Sequence, residues 1–535
     1  MIHVIGLALL GLVVVLAVRT AARRTGLPAS VLLVVAGIAY GFAPGPNLEL
    51  DPAVVLDVVI PPLLYAAALE SSVVALRRSS RAVLGLSVGL VLATALAVGI
   101  GLSAAVAAVP LAVGIAIGAA VSPPDPVAAL SIGRRAGLPP RLTTLVEGEG
   151  LLNDATALTI LNVAVAAALS GSFSLGSAVG QFLLMAAGGL AVGLVVAWAI
   201  GRLRASVDDA LIDNGLSLGT PFAAYLIAEE VHVSGVLAVV VAGLWFAHRG
   251  PALQSSHARL QTRAVWHLVE FLLEGYVFLL IGQQLPAVVR ALGEYEATTV
   301  AAAAGATLGG VLLVRPLWLL ASSRLPSSLH ARLGGDPEEG YAPLTGREIT
   351  ALSWAGTRGV ITLAAAFSLP RDLPARDLLL FCAYLVVLVT LVGQGLTFGP
   401  LLRRLRLGGT GVGKALVRNE ARAAAVEASL QRLAALHDAE PDLEPVIAPL
   451  RRAAQARQRR YAARVELLAT AEDPASLPVD GTYLAAVRVR REMISAEREE
   501  LLSWRDAGRL PDADLRVLER ELDHEESVLP PLRSR

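Results

Sequence analysis

The sequence predicts an all-α integral membrane protein: about thirteen transmembrane helices, with inverted repeats and crossing broken helices, and a helical cytosolic tail behind them. Three observations carry that expectation. With 55% hydrophobic and 17% charged residues over 535 positions, and a mean hydropathy of +0.62, the chain is too apolar for a soluble protein of its length. Apolar runs of roughly 18–25 residues, enough to cross about 30 Å of hydrocarbon, recur as far as Leu402. The charges are unevenly placed, 42 of the 90 falling in the last 125 residues. The balance of 45 basic and 45 acidic residues gives no sign of a nucleic-acid partner, and the lone Cys382 allows no intrachain disulfide.

In order, the runs lie near 2–19, 27–43, 53–70, 82–108, 111–133, 142–169, 177–201, 210–229, 232–248, 265–288, 298–323, 348–369 and 378–402. The first carries its cations, Arg19, Arg23 and Arg24, after the apolar stretch and none before it, which predicts a retained helix with its N-terminus outside. Loop arginines then alternate. Loops after odd-numbered runs hold Arg77/Arg78/Arg81, Arg134/Arg135/Arg141, Arg202/Arg204, Arg249/Arg259/Arg263 and Arg324/Arg332/Arg347, and the others hold almost none before Arg290. Because cytoplasmic loops are enriched in arginine, odd runs cross inward and the tail is cytoplasmic, in a multi-pass protein of the cell membrane. The composition changes at the linker Gly408-Gly409-Thr410-Gly411, dividing a transmembrane domain, 1–407, from a tail, 408–535. Helical spacing in the tail predicts helices near 413–437, 443–471, 483–506 and 512–527, a solvated charged bundle with a regulatory or dimer-supporting role as the alternative.

Ionisable residues inside apolar runs are costly, and they mark ion or proton pathways by default. The fifth run contains Ser122-Pro123-Pro124-Asp125-Pro126, where three prolines in four positions remove backbone donors and break the helix around a carboxylate. Such a break exposes carbonyls and helix ends, which are cation and dipole sites in transporters. In the sixth run Glu147, Gly150 and Asp154 share one helical face, and Glu149 and Asn153 the next. At 1.5 Å per residue, Asp154 lies roughly 20 Å from Arg141, near mid-membrane. Gly150, one turn below, leaves space for an ion. In the twelfth run Gly356-Thr357-Arg358-Gly359 places an arginine between glycines, a second break. Arg358 needs a buried carboxylate, and Glu149 is the expected partner in a structural ion pair, leaving Asp154 exchangeable.

A carboxylate removed from water holds a proton more tightly, and a nearby cation displaces it, so proton and alkali ion compete for one site. Competition with alternating access gives antiport without ATP. No Gly-x4-Gly-Lys-Ser/Thr phosphate loop is present, and the sole lysine is Lys414, in the tail. Nor is there a metalloenzyme cluster or a nucleophile triad, so the expectation is a transporter, not an enzyme, with no cofactor.

At these residues the chain resembles the monovalent cation:proton antiporter family, in its sodium/proton exchanger branch, as a bacterial member. The resemblance covers about the first 400 residues. It rests on Pro61-Pro62-Leu63-Leu64-Tyr65, Asp125-Pro126-Val127-Ala128, Glu147-Gly148-Glu149 with Leu152-Asn153-Asp154-Ala155, Ala228-Glu229 with Ser234-Gly235-Val236-Leu237-Ala238, Phe278-Leu279-Leu280-Ile281-Gly282 and Trp354-Ala355-Gly356-Thr357-Arg358-Gly359, in order. It implies the sodium/proton antiporter fold: a homodimer of thirteen-helix protomers, each with a dimerisation domain and a six-helix core that moves like an elevator. It places the ion site on Asn153, Asp154 and Asp125, the structural pair on Glu149 and Arg358, and an electroneutral exchange of one cation for one proton. Ala66, Pro124 and Gly150 stand where relatives often carry a carboxylate or hydroxyl, which leaves the backbone of Pro124 and Gly150, water or Glu147 to complete the site, with Thr357 as a further accessory residue. Glu274 and Arg315 are expected to pair with each other or to gate access, and Glu70 to sit at the membrane edge.

The sequence thus leads to a secondary antiporter exchanging Na+, or Li+ or K+, for H+, with an alkali cation or proton bound alternately at Asp154 and membrane lipid as its surroundings. A K+/H+ antiporter of the same architecture is the first alternative. A cation channel or transport-inactive sensor is the second.

Overall fold

The computed structural model describes all residues except 1, 44–51, 172–173, 208, 255, 325–343, 408–410, 470–480, 508, 511, 528 and 530–535. Arg332 and the linker 408–410 therefore lie outside the described residues. No strand occurs among the described residues, and the chain divides into two units, Met1–Gly408 and Gly409–Arg535.

The first unit begins with α1 (Ile2–Thr25), α2 (Ala29–Gly41) and α3 (Ile60–Glu70), the last entered through a π-helical turn, Val54–Val59. After a short turn, Val73–Arg78, come α4 (Ser80–Ala105), α5 (Leu111–Val121), α6 (Pro126–Ala136) and α7 (Pro140–Ser170). Then follow α8 (Leu175–Arg204), α9 (Ala210–Glu230), α10 (Gly235–Leu253), α11 (Ser256–Arg290) and α12 (Ala297–Ser323). The unit closes with α13 (Gly346–Trp354), α14 (Val360–Phe367) and α15 (Arg376–Leu405). Among the described residues six stretches, including α4, α7, α12 and α15, are long and apolar enough to cross a membrane by length and composition. The halves α5 and α6, at 11 residues each, span about 16 Å apiece, half of a bilayer.

Packing sorts these helices into two groups. In one, α2 lies along α11, and α10 packs on α3, α8 and α9. In the other, α4 packs on α5 and α12, α5 on α7, and α15 on α12, α6 and α14. The α2–α11 seam is a backbone contact. A Cβ on Gly37 would stand 2.1 Å from the Leu279 carbonyl oxygen, and one on Gly282 2.1 Å from that of Val34, so only glycine permits the approach. Tyr384 of α15 reaches between the groups, its hydroxyl donating to the Ile281 carbonyl at 3.1 Å.

Both breaks follow from local sequence. Helix α5 stops because Pro123, Pro124 and Pro126 cannot donate and disfavour a helical residue before them. Helix α6 restarts with Asp125 as N-cap, its Oδ1 accepting from Val127 N–H at 2.9 Å, and Pro126 as first residue. It ends at Gly137, whose φ of 81° needs glycine. Helix α13 starts with a capping box between Thr345 and Glu348 and ends before the run Ala355–Gly359.

The second unit is α16 (Gly411–Ala439), α17 (Glu444–Ala469), α18 (Gly481–Asp506) and α19 (Asp512–Ser527). Helices α16 and α17 form one antiparallel pair and α18 and α19 another, the latter tied by Arg498 to Asp523 (2.7 Å) and Glu526 (3.1 Å). Arg460 of α17 stacks on the Tyr483 ring of α18, 4.8 Å from its centre.

Candidate ion-binding site

The two breaks meet. Asp125 N–H donates to the Thr357 carbonyl at 2.6 Å, and the Thr357 hydroxyl donates back to the Asp125 carbonyl at 3.0 Å. This reciprocal pair joins the unwound backbone of one half-helix pair to that of the other, and satisfies groups that hydrocarbon would leave stranded. Glycine at 359 lets them close. A Cβ there would lie 1.9 Å from Asp125 Oδ2.

Arg358 is almost fully buried, yet its partners are carbonyls, not a carboxylate. Its Nε donates to Val121 O (3.0 Å), Nη2 to Ser122 O (3.1 Å) and Nη1 to Gly356 O. A cation therefore caps the negative C-terminal end of α5, where the prolines have left carbonyls without helical donors. The carboxylate expected for it, Glu149, is held by Arg315 of α12: Nη2 to Oε2 at 2.9 Å, and Nη1 to Oε1. Arg315 Nε also donates to Leu352 O at 2.8 Å, at the end of α13. The structural pair is thus Glu149–Arg315, correcting Glu149–Arg358. Arg315 accordingly does not pair with Glu274, whose Oε2 lies 3.5 Å from Arg19.

Asn153 donates its Nδ2 to the Pro124 carbonyl at 3.0 Å, which steadies the broken helix, and its Oδ1 is buried with no hydrogen-bond partner among the described residues. One further expectation changes. The space beside Gly150 is occupied by the Pro126 ring, which a Cβ at 150 would meet at 2.4 Å. Gly150 is the notch into which α6 packs, not a vacancy for an ion.

Asp154 is different. It is only 3% exposed, and among the described residues it makes neither hydrogen bond nor ion pair. With Asp125 it lines a cavity of about 700 Å³ between the two helix groups, whose walls also carry Glu147, Glu70, Glu274 and Arg134. Arg134 of α6 bridges Glu147 of α7 (3.0 Å) and Glu70 of α3 (3.2 Å), so Glu147 and Glu70 are rim ion-pair partners, linking the groups at a half-exposed position. Two buried arginines had been legible in the apolar runs, but only helix packing decides which of them meets Glu149. The rim bridge gave one signal: Glu70 and Arg134 stand at run ends predicted to face the same side.

The arrangement is a buried, unpartnered carboxylate at the crossing of two broken helices, open to water through an acidic cavity. It can exchange one small cation for another, while the second buried carboxylate of α7, Glu149, is already compensated by Arg315.

Comparison with known proteins gives the family and the fold. Residues 9–404 match the family model described as sodium/hydrogen exchanger, transmembrane. An uncharacterised Na+/H+ exchanger of Mycobacterium tuberculosis is 32% identical over 98% of this chain and 96% of its own. A sodium, potassium, lithium and rubidium/H+ antiporter of Bacillus subtilis is 32% identical over 68% of this chain and 56% of its own. The fold is similar to that of the sodium proton antiporter MjNhaP1 from Methanocaldococcus jannaschii, with a TM-score of 0.59 and 18% identity over 76% of this chain and 99% of that one. From the match across its helical unit and the relatives along its whole length, the chain belongs to the sodium/hydrogen exchanger family of multi-pass membrane proteins that exchange cations for protons.

Proposed function

We propose that this exchanger carries Na+, with Li+ and K+ as competing ions, against H+ in a one-for-one electroneutral cycle, cation and proton alternating on Asp154. The observation that carries the reading is the contrast between the two buried carboxylates of α7. Glu149 is neutralised by a fixed guanidinium, and Asp154 has no fixed partner, so its charge must be balanced by something that comes and goes. Asp125, half-buried in the same cavity, tunes the site.

The cavity is also lined by Arg19, Arg23 and Arg134, which by the loop-arginine rule face the cytoplasm. The state described is then open inward, with the N-terminus outside and the tail inside. Alternating access follows if the α4–α7 and α12–α15 group shifts against the other, and we assign the homodimer contact to that other group. The Bacillus relative's name, with four alkali ions, supports broad selectivity that includes K+.

Everted vesicles with a proton gradient test the reading. Adding Na+, Li+ or K+ to the wild type discharges the gradient, at a rate that a clamped membrane potential leaves unchanged. Asp154→Asn, inserted at wild-type level, reduces discharge to the vesicle background. Retained exchange in that variant overturns the assignment.

A further inference from the structure

Thr362 is the buried threonine whose hydroxyl has nothing to do. It is 1% exposed, and its Oγ1 has no hydrogen-bond partner, whereas every other buried threonine among the described residues donates its hydroxyl. Thr94, Thr220, Thr307 and Thr390, for example, bond to the carbonyl four residues back at 2.7–2.8 Å. The reason is positional. Thr362 is the third residue of α14, and the carbonyl four residues behind it belongs to Arg358, in the unwound segment, where no helical acceptor is presented. An unmade hydrogen bond at a buried hydroxyl is costly, so the group calls for a partner that no described protein group supplies.

Its location says what that partner is. Thr362 lines the same cavity as Asp154 and Asp125. It stands three positions beyond Gly359, the N-cap of α14, and Asp125 Oδ2 lies directly over Gly359. Two carboxylates alone do not complete the oxygen shell of an alkali ion, which takes several neutral oxygen dipoles besides the charge. Beside Asp154, the Pro124 carbonyl already accepts from Asn153, and the Pro126 ring fills the space at Gly150. Of the hydroxyl residues described on the cavity wall, Ser71, Ser131 and Thr362, it is Thr362 of α14 whose oxygen is unengaged.

We propose that Thr362 is a ligand of the transported alkali cation, its hydroxyl oxygen completing from α14 the shell whose charge Asp154 provides from α7, and that it sets the preference among alkali ions. The inference rests on cation binding at Asp154. A proton on Asp154 needs no such oxygen, so loss of the hydroxyl weakens the cation step and leaves the proton step alone.

The full-length protein is reconstituted in proteoliposomes with an internal pH indicator, and the apparent KM and kcat for Na+, Li+ and K+ are measured for wild type, Thr362→Val, Thr362→Ala, Thr362→Ser and Asp154→Asn. Thr362→Val keeps the shape and removes an unpartnered polar atom, so its melting temperature does not fall, and the KM for Na+ rises about tenfold with kcat within about twofold. The KM changes differ among the three ions, so their ranking shifts. Thr362→Ala follows Thr362→Val, and Thr362→Ser returns KM to within about threefold of wild type, since it restores the oxygen. Val and Ala variants whose KM for all three ions stays within about twofold of wild type overturn the proposal, provided Asp154→Asn is inactive. An active Asp154→Asn overturns the reading beneath it instead.

Discussion

At the scale of single residues, the membrane interior makes partner choice the dominant energy. Glu149 and Arg315 are each nearly fully buried, and either one alone is an uncompensated charge in low dielectric. Arg315→Ala should lower unfolding stability by about 3–5 kcal/mol, read as a loss of melting temperature and of monodisperse protein in detergent. Replacing both members, Glu149→Leu with Arg315→Met, should recover most of that loss, because a well-packed apolar pair avoids the desolvation cost altogether. The sequence made the charged positions legible, since a carboxylate or guanidinium in an apolar run is conspicuous. Which pairs they formed was not legible. By its charge alone Arg358 calls for a carboxylate, but the carbonyls freed at the end of α5 accept its guanidinium instead, and they are invisible in a side-chain alphabet. Glu274 likewise met Arg19, a residue some 255 positions away that only the fold brings near. Gly150 looked like room for an ion because the absence of a side chain says nothing about which neighbour fills it.

At the scale of elements, the breaks are where sequence reading succeeded best. Prolines at 123, 124 and 126 leave the backbone no helical option, and the glycines at 356 and 359 mark the second interruption. What stayed hidden was that each break satisfies the other through Asp125 and Thr357. Asp125 has two separable duties in that arrangement, a cap through Oδ1 and a cavity charge through Oδ2. Asparagine caps a helix as well as aspartate, so Asp125→Asn should leave the melting temperature near wild type while altering exchange. Asp125→Ala should lose both, with a further cost of about 0.5–2 kcal/mol in stability. Equal melting temperatures for the two variants would mean that the cap does not support α6.

At the scale of the whole molecule, polar contacts divide by helix group. Asn153 to Pro124, Asp125 to Thr357, Arg358 to the end of α5 and Arg315 to Glu149 all lie within the group of α4–α7 and α12–α15. The rim pair Glu70–Arg134 and the Tyr384 hydroxyl are contacts that cross to the other group. If exchange proceeds by shifting one group against the other, the ion keeps the same coordinating atoms at the same spacing throughout, while contacts between the groups, the rim pair and the Tyr384 hydroxyl among them, are remade. A site carried intact has one intrinsic affinity, whichever side it faces. The apparent KM for Na+ at equal pH should then be the same in right-side-out and everted vesicles, and net flow should reverse whenever the two gradients do. Direction would be a property of the cell's ion gradients, with no rectification built into the protein.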